Sequence, residues 1–178
     1  MSLQIPYLSQ WDGDPGQGCN CGPACVAMAC QALGLRPAGL TDAQWVQRAR
    51  DAAGGGTGEL SVLQLATAAA ALGAHHGGAL VGGPGVAQCA ITNAAIFQEV
   101  GGVAIMLLNA TVLGRGYDGH YVVLTAPAVD APVVVNDPDS AARGGKVPGG
   151  ANVTWPMGLL TAAVEAGPDG PDGLVVGL

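Results

Sequence analysis

Positive charge is scarce in this chain. Six Lys and Arg residues stand against thirteen Asp and Glu, for a net charge of −7, and Lys146 is the single lysine. A phosphate-binding surface needs clustered Lys and Arg, so nucleic acid is not an expected partner. Large aromatic anchors are also few: one Phe, with aromatics at 4% of residues. A core of mostly Ala and Val must then be packed closely to be stable. No unbroken run of about 20 apolar residues occurs, which excludes an expected membrane-spanning helix. The start, MSLQIPYLSQWDG, lacks a basic stretch followed by an apolar one. It does not read as a secretory signal, and this favours a cytoplasmic setting as the expectation.

What is present fits a folded unit. The 178 residues suit one domain, 1–178, and 49% are hydrophobic against 11% charged, the opposite of a disordered composition. Thirty Gly and twelve Pro imply many turns. The five cysteines are Cys19, Cys21, Cys25, Cys30 and Cys89. An odd count leaves at least one thiol free in any pairing scheme, and four of them crowd within twelve residues.

Along the chain, residues 3–8 read as a short extended segment and 9–20 as loop. A helix is expected from about Gly22 to Gly34, with Pro23 near its start. Helices follow over 42–53 and 62–72, each introduced by a capping-box pattern, Thr41 with Gln44 and Ser61 with Gln64. Residues 54–58 (GGGTG) read as a flexible linker. The 74–90 stretch carries a weak strand signal near 79–81. A helix over 91–100 precedes three apolar strands, 103–113, 120–129 and 131–137, the first two separated by the turn GRGYDG. A helix near 156–166 and a strand over 173–178 close the chain. Helices first and strands joined by short turns afterwards predict an α+β fold with an antiparallel sheet.

Four features carry chemistry. Cys21, in Asn20-Cys21-Gly22-Pro23-Ala24, stands at a helix start, where backbone N–H groups and the helix dipole favour a thiolate nucleophile. The alternative is a small buried residue at a helix end. His120 opens an apolar strand straight after a glycine-rich turn, as a general base held on a rigid element or as a simple strand cap. His75 and His76 lie in a Gly/Ala segment and read as solvated loop residues. In Val135-Asn136-Asp137-Pro138, side chains alternate faces, so Asn136 and Asp137 cannot both point at His120; either can accept an imidazole N–H. Gln10, eleven positions before Cys21, offers an amide donor to an oxyanion, or is an ordinary surface glutamine.

In this order, YLSQ…NCGPA…GHYVV…VNDP resembles the papain-like peptidases related to the bacteriocin leader-processing, double-glycine-cleaving family, over nearly the whole chain. The resemblance implies a papain-like cysteine proteinase fold, with the nucleophile at a helix start packed on an antiparallel sheet. It implies a Cys–His–Asp triad with Cys21 as nucleophile, His120 as base, Asp137 as orienting acid and Gln10 as oxyanion donor. Gln10 is separated from Cys21 by a longer, Gly-rich loop. The expected substrate is a peptide or protein, with no cofactor and no metal. The same triad also serves an acyltransferase, and a non-catalytic peptide-binding module is the third alternative. Such domains are often fused to ATP-binding transporter domains; a free-standing enzyme and a piece of a larger protein both remain open. Cys19 is placed to act as a resolving thiol that protects Cys21 as a disulfide. A zinc site is the weaker alternative, because Cys-x-Cys-x₃-Cys is not a usual ligand spacing. Cys25 and Cys30 read as small apolar residues of the first helix. The loops 54–60, 74–90 and 139–154 are the expected specificity elements.

Overall fold

The strand Val103–Asn109 is apolar at nearly every position because it is covered on both faces. In this computed structural model, which describes residues 3–79, 87–126, 132–140, 145–168 and 172–178, it lies inside a six-stranded sheet. The strands are β1 (His75–Ala79), β2 (Val103–Asn109), β3 (Gly119–Ala126), β4 (Val133–Asp137), β5 (Gly150–Trp155) and β6 (Asp172–Gly177). Their order is β1-β6-β2-β3-β4-β5, and every neighbouring pair is antiparallel. The helices are α1 (Cys21–Ala32), α2 (Asp42–Ala52), α3 (Val62–Ala71), α4 (Ala87–Glu99) and α5 (Met157–Glu165).

Alternation along β2 divides the core in two. Val103, Ile105 and Leu107 join Tyr121, Val123, Leu174 and Val176 under α1, α2 and α3. Ala104, Met106 and Leu108 join Val122, Leu124 and Val135 under α4 and α5. A sheet buried on both sides yields strands without polar alternation. The helices are thus not all N-terminal in space: the first three cover one face and the last two the other. β6 crosses β2 so closely that a Cβ at Gly173 would meet the Ile105 carbonyl oxygen at 2.7 Å, which requires glycine there.

Both capping boxes form as their sequences demand. Thr41 Oγ1 accepts from the Gln44 backbone N–H at the start of α2, and Gln44 Oε1 accepts in return from Thr41 N–H. Ser61 and Gln64 do the same for α3. The small-residue helix α1 is buried along most of its length, including Cys25 and Cys30, and the Trp45 indole N–H of α2 donates to its Ala27 carbonyl at 2.9 Å.

Several expectations change. His75 and His76 belong to the backbone of the edge strand β1, paired with Gly177 and Val176, instead of a solvated loop. The weak strand signal at 79–81 reaches the described residues only at Ala79, and 127–129 of the expected strand over 120–129 lie outside them. α4 begins at Ala87, four residues before the expected start, and β2 ends at Asn109, short of 113. The end of the expected loop 139–154 belongs to a strand, β5 (Gly150–Trp155). The 54–58 segment is not a free linker: the buried Arg50 guanidinium donates to the carbonyls of Gly56 at 2.8 Å and Gly58 at 3.1 Å.

Candidate functional site

Cys21 is the first residue of α1 and is partly exposed. Its position is fixed from both sides. After it, Gly22 is pressed against α3 and β3: a Cβ there would meet Leu65 Cδ2 at 2.9 Å and Tyr121 Cδ2 at 3.3 Å. Before it, buried Asn20 bridges Arg50 and Asp12, accepting from Arg50 Nε at Oδ1 and donating from Nδ2 to Asp12 Oδ2 at 2.8 Å. Arg50 also donates to the Cys19 carbonyl. A buried cation on α2, bound to oxygen acceptors from two further segments, thus ties the loop before Cys21 to α2 and to the Gly-rich turn.

His120 and Asp137 are diagonal neighbours on paired strands, since Val123 opposes Asn136 in the β3–β4 register. His120 Nε2 donates to Asp137 Oδ1 at 2.7 Å. That bond leaves the other ring nitrogen uncommitted, and the Cys21 thiol is near enough to act on the protonation of the ring. His120 is 1% exposed. Burial pulls its pKa down, but the Asp137 charge and hydrogen bond, with the Cys21 contact, push it up to about 9.

Asp137 is saturated with donors. Oδ1 also accepts the Asp139 backbone N–H at 3.0 Å, and Oδ2 accepts from Arg115 Nη2 in a fully buried ion pair. Burial raises its pKa, yet His120 and Arg115 outweigh that and hold the carboxyl below its ordinary value. Arg115 reaches there from the turn after β2, stacked over the Trp155 ring at 5.7 Å, with Nη1 on the Tyr117 hydroxyl at 3.3 Å. Tyr117 meets the His120 ring edge-on at 5.6 Å between centroids. Its hydroxyl donates to Asp139 Oδ2 at 2.7 Å, and Asp139 Oδ1 accepts the Trp11 indole N–H at 2.9 Å. Burial and the bond to Asp139 raise the Tyr117 pKa, so it stays a neutral donor.

The choice left open at 136–137 falls on Asp137. Asn136 turns to the other face, where Nδ2 donates to the carbonyls of Ile5 and Pro6 and Oδ1 accepts the Asn152 N–H at 2.8 Å. Gln10 is 4% exposed, not a surface residue. Its backbone N–H donates to the Pro138 carbonyl at 3.0 Å, which fixes the loop beside Asp137. The side-chain Nε2 donates to the Gln17 carbonyl at 3.3 Å, and Oε1 has no hydrogen-bond partner.

Sequence reasoning missed Arg115, Tyr117, Asp139 and Arg50. GRGYDG reads as a turn, and the one available signal was an arginine and a tyrosine in a chain poor in both. Among the described residues, no group of three or more His, Cys, Asp or Glu is arranged to hold a metal. None of the described helices is long and apolar enough to cross a membrane.

A cavity of about 320 Å³ opens beside Cys21. Its floor is apolar, from Leu60, Leu107 and Tyr121, and its rim carries Glu59, Gly119 and Pro168. Helices on an antiparallel sheet, with a cysteine at the first helix start, make this the papain-like peptidase-domain fold. The structure superposes on the peptidase domain of ComA from Streptococcus, described as a bi-functional ABC transporter involved in a quorum-sensing pathway. The match has a TM-score of 0.58 at 13% sequence identity and covers 98% of each chain. No family model matches the sequence. No curated protein matches it either.

Proposed function

We propose that this protein is a cysteine peptidase, cleaving a peptide or amide bond through a thioester on Cys21. The observation that carries the proposal is the buried His120 imidazole, bonded to Asp137 through one nitrogen and raised in pKa by Asp137 first and by the nearby Cys21 thiol. The likeness to the peptidase domain of ComA supports a peptide as the substrate.

The steps follow from the groups present. His120 accepts the Cys21 proton, giving a thiolate–imidazolium pair beside the Asp137 carboxylate. The thiolate adds to the substrate carbonyl. The Cys21 backbone N–H and the Gln10 amide stabilise the oxyanion, since Gln10 Nε2 carries a second proton beyond the one directed at Gln17. Collapse of the adduct breaks the carbon–nitrogen bond, and imidazolium protonates the departing amine. Water, deprotonated by His120, then hydrolyses the thioester and restores the thiol. Asp137 fixes the ring tautomer and stabilises the imidazolium throughout.

The test is Cys21→Ala against the parent chain, with a mixed peptide library read by mass spectrometry. Expected is cleavage by the parent and none by the variant, at equal thermal stability. Cleavage that survives Cys21→Ala would sink the proposal. Products extended by an added amine would assign acyl transfer in place of hydrolysis.

A further inference from the structure

Resting on the peptidase reading, we infer that the cavity beside Cys21 binds a cationic group of the substrate, a Lys or Arg side chain or a free amine, through Glu59.

Glu59 is the one formally charged side chain among the residues that line the cavity. Among the described residues it enters no ion pair, whereas Asp42 pairs with Arg36 and Asp137 with Arg115 and His120. The other polar groups on that wall are engaged with each other: Ser61 and Gln64 exchange the bonds of the α3 capping box. The Glu59 carboxylate lies across from the glycine that precedes His120, with Oε2 3.9 Å from where a Gly119 Cβ would stand. Its charge is felt inside the cavity. Burial first, and Glu59 next, raise the pKa of the Cys19 thiol.

The shape of the cavity narrows the ligand further. Leu60, Leu107 and Tyr121 form an apolar floor below a carboxylate at the rim. An apolar stem ending in a cation matches both parts, as long basic side chains do when the methylenes are covered and the head stays at the water boundary. A neutral apolar group would leave Glu59 unanswered, and an acidic one would be repelled. The net charge of −7 acts in the same direction at longer range.

Two measurements on the intact chain test this, one independent of hydrolysis. Cys21 is modified with aminoethyl, methyl and sulfonatoethyl methanethiosulfonate, and labelling at each cysteine is followed by mass spectrometry. The aminoethyl-to-sulfonatoethyl rate ratio at Cys21 is expected to fall about fivefold in Glu59→Gln, the scale of a partly exposed ion pair, and further in Glu59→Lys. The ratio at exposed Cys89 should not move. An unchanged ratio at Cys21 overturns the inference. In the second measurement, bonds cut in the peptide library are expected to be flanked by Lys or Arg, with that enrichment lost in Glu59→Gln. Cleavage without basic enrichment also overturns it. A library left uncut by the parent sinks the peptidase reading instead, and the labelling ratio then still decides whether the cavity prefers cations.

Discussion

Arg115 donates from Nη2 to Oδ2 of Asp137, with both side chains buried, while the other carboxylate oxygen serves His120. The carboxylate is therefore shared between a permanent cation and a titratable one. Because Arg115 is always charged, Asp137 stays ionised and aligned in either protonation state of the imidazole.

Arg115→Met should expose that dependence. Loss of a partner from a buried pair costs about 3–5 kcal/mol, and the lower end is expected because His120 remains beside Asp137. Denaturant unfolding measures it. With one of its stabilising cations gone, Asp137 should protonate at higher pH, so the acid limb of the rate profile should move upward. Arg115→Lys restores a charge but not the planar fork, and should recover the limb position more than the maximal rate. An acid limb that stays in place in Arg115→Met would argue against this role.

The pH dependence follows from the sign of each shift. His120 is raised to about 9 from an ordinary value of 6.5. Its favourable contribution to stability is complete below the unfolded value and is lost as pH rises through about 9. Asp137 is lowered, so its contribution holds above the unfolded carboxyl value and is lost as pH falls through the folded one. A broad plateau of activity is expected from weakly acidic pH to near 9, with loss above as the imidazolium deprotonates. A rate profile combined with titration of the His120 ring by NMR checks this. A ring that titrates near 6.5 would contradict the coupling to Asp137 and Cys21.

Gly22→Ala tests the packing that sets the nucleophile. The new Cβ would lie 2.9 Å from Leu65 Cδ2 and 3.0 Å from Cδ1, so Leu65 or the start of α1 must shift. Overpacking of this kind costs about 1–3 kcal/mol, read as a lower unfolding midpoint. Since Cys21 is the adjacent residue, its alkylation rate should change with it. Gly22→Ala combined with Leu65→Ala should restore much of both, because the smaller side chain makes room.

How far the sequence reveals these features depends on whether their causes are local. The capping boxes at Thr41 and Ser61, the start of α1 and the first seven residues of the apolar run at 103–113 are each encoded within a few residues, and they form where expected. Strand alternation limited the acceptor for His120 to one of two neighbours. The contact of Asn136 with Ile5 and Pro6, which decides between them, spans most of the chain and has no local signature. Arg115 and Tyr117 were hidden for the same reason: their roles arise when the turn after β2 folds against β4. β5 was missed because GANVTW lacks a strong apolar pattern, and its backbone is shaped partly by Asn136 Oδ1 accepting the Asn152 N–H.

Arg50 supplies the last prediction. It is 0% exposed and, among the described residues, has no carboxylate in ion-pair contact. Its charge is distributed over Asn20 Oδ1 and the carbonyls of Cys19, Gly56 and Gly58. Arg50→Met would leave these acceptors without their donor, at about 1–3 kcal/mol for each that stays dry, and should release the loop that presents Cys21. Lysine, with a compact head, cannot reach acceptors spread on both sides of a planar guanidinium, so Arg50→Lys should rescue little. The expected result is a lowered unfolding midpoint in both variants, with Cys21 alkylation by iodoacetamide losing its dependence on His120, measured by adding His120→Ala to each. A fully active Arg50→Lys would show that the charge alone, and not the fork of donors, organises the loop.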